Sequence, residues 1–166
     1  MKKYLKYLAV LAAAALLGFL VMQNRQNAAK DDERIAVGEL TFETAGGETV
    51  YTYRDDGDGY VTFETEMRRK NGDVFPKTYS GRELSSILNE AGISFNEGTG
   101  ITLICADQYE IGLTGAEVLQ EGNVYIVNRE SGELLDEESG PFMLVINGDE
   151  FATRWGKTIV RIRISE

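Results

Sequence analysis

Four groups of side chains in this chain have types and spacings that could do chemistry, and none contains histidine, which the sequence lacks. Cys105 is the single cysteine and closes the run Ile101-Thr-Leu-Ile. A thiolate at an exposed strand end would be a soft metal ligand or a nucleophile. A lone cysteine after such a run is more ordinarily a small buried hydrophobe, and the core role is the expectation. Arg154, Lys157, Arg161 and Arg163 form the sustained basic run. In a regular strand, Lys157, Ile159, Arg161 and Arg163 would share one face and Thr158, Val160, Ile162 and Ile164 the other. That face could neutralise an anion, or be solvated and balanced by carboxylates; the second reading is expected. Asp55-Asp-Gly-Asp-Gly59 has the spelling of a calcium loop. Setting Gly59 on that loop's invariant glycine puts Arg54 and Thr65 on ligand positions that need carboxylates, so a tight acidic turn is expected. Glu64 and Glu66 fall roughly 7 Å apart on one strand face. Such a couple can serve glycoside hydrolysis, but with 27 acidic residues in the chain a chance pair is expected.

The missing histidine also removes the usual zinc, copper and haem ligation patterns and histidine general-base catalysis. A single cysteine excludes an internal disulfide. The N-terminus carries Lys2, Lys3 and Lys6 before an uncharged apolar run from Tyr7 to Met22. Residues 1–22 read as an uncleaved signal-anchor, with a cleaved secretory signal as the alternative. The leading lysines place the N-terminus inside and the rest outside a bacterial-type cytoplasmic membrane. Residues 23–34 read as a juxtamembrane linker and 35–166 as one domain. Taking the three leading lysines from the 17 basic residues leaves 14 against 27 acidic ones, a net charge of −13 past Met22. Nucleic acid is therefore not expected as a partner, and the membrane is met only through the N-terminal helix.

The elements that must position these groups are mostly strands. Leu40–Phe42, Thr49–Tyr53 and Tyr60–Met67 alternate, separated by turns at Gly46-Gly47 and 55–59, and Asn71-Gly72 is a hairpin signal. Further strands are predicted at Ile101–Cys105, Val124–Val127, Phe142–Ile146 and Thr158–Ile164. Two capping boxes, Ser80-x-x-Glu83 and Thr114-x-x-Glu117, predict short helices that stop at Gly92 and Gly122. Mostly strands with two short helices make an α+β domain.

The order Tyr79-Ser-Gly-Arg-Glu-Leu84, Ile101 through Asp107-Gln-Tyr109, Gly140-Pro-Phe-Met-Leu-Val-Ile146 and Arg154-Trp-Gly-Lys157 resembles the molybdopterin-binding domain of sulfite-oxidase-type oxidoreductases. The likeness covers about Val50 to Ile164. In that family the turn reads Asp-Gly-Tyr, so Gln108 is a departure. Met143 stands where the family usually has arginine. The resemblance implies that Thr153, Arg154 and Lys157 lie on the phosphate side of a pterin, where guanidinium and ammonium groups can neutralise a dianion. It also implies a cysteine that ligates molybdenum upstream of the first helix. No cysteine precedes Tyr79, and Cys105 follows that helix. The expectation is an extracytoplasmic domain that has kept the fold without the thiolate and binds a small-molecule ligand or an envelope protein. A molybdopterin-dependent oxidoreductase, with the thiolate from Cys105 or a partner chain, is the alternative. A structural or adhesive surface domain is a second one.

Overall fold

Two apolar runs without alternation become adjacent strands buried on both faces. In the computed structural model, which describes residues 36–56 and 59–165, these are β7 (Val124–Glu130) and β9 (Met143–Ile146), paired antiparallel from Val124↔Ile146 to Val127↔Met143. Val124, Ile126, Leu144 and Ile146 face one core, while Tyr125, Val127, Met143 and Val145 face a second. A strand covered on both sides needs apolar residues at every position, which is why these runs do not alternate.

Two five-stranded sheets enclose the larger core. The first joins β1 (Ala36–Thr44), β2 (Gly47–Arg54), β5 (Gly100–Cys105), β6 (Glu110–Thr114) and β10 (Ile159–Ser165) in the order β2-β1-β10-β5-β6. Here β1 and β10 are parallel and β10–β5–β6 antiparallel. The second runs β3 (Tyr60–Arg68), β4 (Val74–Glu83), β7, β8 (Glu133–Leu134), with β9 also on β7. Helix α1 (Leu84–Glu90) buries Leu84, Ile87 and Leu88 in the same core. Helix α2 (Gly115–Leu119) adds Val118. The architecture is α+β, mostly strand. The smaller core lies on the outer face of the second sheet, covered by Phe63, Leu135 and Trp155.

Two local expectations are corrected. Ser80 does not cap a helix: it lies inside β4, paired with Thr62 and Arg129, and its hydroxyl bonds Thr62 Oγ1 at 2.8 Å. Ladder bonds on both sides outweigh one cap bond, so the helix starts only at Leu84, with Glu83 at its N-cap and no side-chain cap. Gly81 permits this close strand pairing, since a Cβ there would fall 2.3 Å from the Ile126 carbonyl oxygen. The second correction is in β10, where a bulge between Ile159 and Arg161 breaks the alternation. Ile159 and Ile162 both point into the core, so Ile159 does not share a face with Arg161 and Arg163. The box at Thr114 forms as expected: Thr114 Oγ1 accepts from the Glu117 N–H at 3.2 Å, and Glu117 Oε2 accepts from the Thr114 N–H at 2.8 Å.

Among the described residues no helix is long and apolar enough to cross a membrane. The expected signal-anchor, 1–22, and linker, 23–34, lie outside the described residues.

Candidate functional site

Strand β5 delivers Cys105 to a tight turn, where the Cys105 N–H donates to the Tyr109 carbonyl at 2.9 Å and the Gln108 N–H to the Cys105 carbonyl at 3.0 Å. Gln108 takes a φ of +70° there, a conformation that costs every residue but glycine. The sequence departs from Asp-Gly-Tyr at this position, where a glycine would sit without strain. Against the turn lies the segment that follows the 3₁₀ turn Ala152–Arg154. The Ala106 N–H donates to the Thr158 carbonyl at 2.9 Å, and the Leu144 N–H to the Gly156 carbonyl at 2.7 Å. Gly156 covers the thiol: a Cβ at that position would sit 3.3 Å from Cys105 Sγ and 2.2 Å from Ile111 Cδ1. Cys105 is 3% exposed, among Ile111, Ile159 and their neighbours. Burial, and then the charge of Asp107, pushes its thiol pKa up, the direction that disfavours a thiolate. The fold therefore brings Cys105 directly beneath the basic-aromatic segment, though 49 positions separate Cys105 from Arg154 in sequence, and buries it there.

The three residues assigned to the phosphate side have different fates. Arg154 Nε donates to Asp149 Oδ2 at 2.9 Å and Nη2 to Asp149 Oδ1, while Nη1 reaches Glu117 Oε1 at 2.8 Å. Hydrogen bonding to Asp149, with Glu117 in support, holds the guanidinium pKa above its ordinary value against the cost of burial. The capping glutamate of α2 thus also anchors this arginine. Thr153 and Lys157 are exposed, and neither side chain is engaged by another described residue. Trp155 is a packing residue: its indole N–H donates to the Ile146 carbonyl at 3.0 Å and its ring meets Tyr79 edge-on at 6.1 Å.

The remaining candidates resolve into ion pairs. Arg161 and Arg163 converge on Glu43, Arg163 Nε at 2.9 Å from Oε2, with Glu48 and Glu110 at 3.4 Å from one or the other. In the acidic turn Asp55 takes two hydrogen bonds from Arg129, at 3.1 and 2.7 Å, and Asp56 lies 3.5 Å from Arg54. Among the described residues no three metal-ligating side chains group together. Glu64 and Glu66 are both exposed on β3, and Glu66 pairs with Arg68.

Two features carried no sequence signal. Arg82 is buried with its guanidinium fork on Glu90, at 2.8 and 2.7 Å, and donates to the Tyr51 hydroxyl at 2.9 Å. Nothing in the spacing announces this, because strand β4 and the last turn of α1 meet only after the chain reverses between them. An open cleft of about 1250 Å³ lies between the β1–β2 turn and the loop after α1, lined by Gly46, Gly47, Ile93, Phe95, Arg163 and Ser165 among others. It sits at the end of β10, roughly 20 Å along the strand from the Thr153–Lys157 segment at its start.

An α+β, two-sheet domain of this order has a counterpart among solved structures. The sulfane dehydrogenase SoxCD from Paracoccus pantotrophus superposes with a TM-score of 0.61 at 21% identity, over 76% of this chain and 38% of that one. At that identity the likeness is one of fold, and this chain spans well under half the length of its neighbour. No family model matches the sequence, and no curated protein does.

A molybdenum–pterin cofactor, implied by the sulfite-oxidase-type resemblance, asks for an accessible thiolate and for uncommitted cations on its phosphate side. Cys105 is sealed under Gly156 with its pKa raised, and Arg154 is already neutralised by two carboxylates. These residues do not fit a thiolate-held molybdenum. Of the three residues assigned to the phosphate side, Thr153 and Lys157 stand open.

Proposed function

We propose that this chain is a non-catalytic binding module on a sulfite-oxidase-type fold, held outside a bacterial-type membrane by its N-terminal segment and serving a small-molecule ligand or an envelope protein. One observation carries the reading: the only thiol in the chain is 3% exposed in the core. A second is that Arg154 spends its donors inside the domain, on Asp149 and Glu117. Two surfaces among the described residues are open to a small ligand, the exposed Thr153–Lys157 segment and the 1250 Å³ cleft, and these stand at opposite ends of β10.

The alternative, a molybdopterin-dependent oxidoreductase or a subunit of one, draws on the sulfane dehydrogenase neighbour and on the placement of Cys105 beneath the Thr153–Lys157 segment. The two readings separate in one measurement: molybdenum and organic phosphate in the full chain, purified from a host that makes molybdopterin. The binding-module reading expects molybdenum far below one atom per chain. Near-stoichiometric molybdenum that disappears in Cys105→Ser would overturn it. Phosphate without metal would identify a retained pterin or nucleotide site and direct mutagenesis to Lys157.

A further inference from the structure

Strands β3 and β4 pair over nine positions, from Tyr60↔Arg82 to Arg68↔Val74, but β7 joins only the part of β4 from Tyr79 to Glu83. Beyond it, from the pair Glu64↔Thr78 to the pair Arg68↔Val74, the hairpin projects as a two-stranded arm of about 14 Å. Its tip is Arg68-Arg69-Lys70, an exposed run of three cations in a chain of net charge −10. Val74 and Phe75 are exposed beside it at 45% and 37%, with Arg69 stacked 4.8 Å over the Phe75 ring. Met67 faces Phe75 across the arm and extends the line of Phe63 and Tyr79 outward from the smaller core. Within the arm Glu66 pairs with Arg68 and Asp73 closes the tip turn with Asn71, so three cations stand against two carboxylates and the tip keeps a net positive charge. The arm is longer than the Debye length of about 8 Å at physiological salt, which screens the acidic body from it.

The root of the arm has the opposite character. The Ser131 N–H donates to the Thr78 carbonyl at 2.8 Å and Lys77 pairs with Glu130. This fastens the loop around β8 beside the arm, and that loop exposes Glu133, Asp136, Glu137 and Glu138 around Leu134, itself 58% exposed.

We propose that the β3–β4 arm is a self-association surface, with the Arg68–Lys70 tip of each copy lying on the acidic β8 loop of a second copy in a two-fold pair. Stacking two arms antiparallel on the face that carries Met67 and Phe75 exchanges tip for root, so each basic tip meets an acidic loop and Phe75 approaches Leu134. The same contact made twice closes the assembly. Joining the free edges of β3 instead would bring Glu64 and Glu66 of both copies together, the charged guard expected on an exposed edge strand. The arm faces are small against the 1,200 Å² or so of a stable complex. The pair therefore belongs to the micromolar range and weakens with salt. This association is independent of the ligand reading above, since none of its residues belongs to the Thr153–Lys157 segment or the cleft.

The test is zero-length carbodiimide coupling of amine to carboxylate on the full chain, mixing copies of normal and heavy nitrogen and reading cross-linked peptides by mass. Lys77–Glu130 within one chain is the internal control. Mixed-isotope peptides joining Lys70 to the segment 133–138 are expected. They should fall about tenfold in R68E/R69E, which keeps the Lys70 amine, and return when that variant is mixed with E133K/E137K, which keeps the Asp136 and Glu138 carboxylates. All four substituted positions are exposed, so the variants should keep the parent's circular dichroism. Absence of mixed peptides at tens of micromolar chain, or cross-links indifferent to charge reversal, would overturn the proposal. So would loss of anionic-vesicle binding in the reversed variant without any interchain link, which would assign the arm to lipid headgroups.

Discussion

Replacing Arg154 by methionine separates a structural arginine from a ligand-binding one. The substitution keeps an unbranched apolar stem and removes three charged hydrogen bonds, two to Asp149 and one to Glu117. Asp149 would then stand at 13% side-chain exposure without its guanidinium partner. Bonds to charged groups contribute roughly 1.5–3 kcal/mol each when buried. Arg154 is 37% exposed, so solvent screening reduces the whole cluster to about 2 kcal/mol. For a domain of this size that corresponds to a fall of about 8 °C in Tm. The assay is thermal unfolding of the full chain by circular dichroism at neutral pH. It would be run beside Asp149→Asn and the double variant, whose coupling should come to about 1–2 kcal/mol. A Tm within about 2 °C of the parent, together with lost affinity for phosphate-bearing ligands, would refute the assignment and return Arg154 to the binding surface.

Cys105→Ser should cost about 1–2 kcal/mol through a hydroxyl placed in an apolar site. The native thiol should react with an aromatic disulfide reagent at pH 8 only as denaturant unfolds the chain; fast labelling of the folded protein would contradict its burial. Gln108→Gly should raise stability by about 0.5 kcal/mol, because relief at φ +70° exceeds the extra entropy of glycine in the unfolded chain; chemical denaturation measures it, and a loss would show the turn to be unstrained. Stability should fall as pH drops below the ordinary glutamate value of 4.5. Glu90 is held below that value by hydrogen bonds from Arg82 and then Tyr51. Glu117 is held below it because bonds from Thr114 and Arg154 outweigh the burial that opposes them. Carboxylates with lowered folded values contribute fully above the unfolded value and lose that contribution as pH falls through the folded one. Glu90→Gln should flatten the acid limb of the profile measured by urea titration.

What the amino-acid sequence determined by itself was whatever depends on neighbours along the chain. Runs such as Val124–Val127 and Phe142–Ile146 have no way to be solvated and became strands covered on both faces. Thr114-x-x-Glu117 closed on itself because both partners of a capping box lie within one turn, and Cys105 went into the core that Ile101, Leu103 and Ile104 already pointed to. The order of elements in this α+β domain was enough to point to the fold that the sulfane dehydrogenase shares. Tertiary structure decided whatever depends on which segments meet. Ser80 has the spelling of a cap yet lies in β4, because β3 and β7 offer it ladders on both sides. Alternation in β10 broke at a bulge, since Ile159 and Ile162 must both reach the core. Arg154 was expected to be balanced by carboxylates, but that these are Asp149 and Glu117 was decided by the fold, and Arg82 found Glu90 only once α1 folded back along β4. The sequence reading passed over Arg68–Lys70, and the projection of that run from an acidic body came only from the β4–β7 pairing stopping at Tyr79. Charges and hydrogen bonds act through space over a few ångströms, so their partners are set by the fold, whereas apolar runs, caps and turns act through the chain and can be read from it.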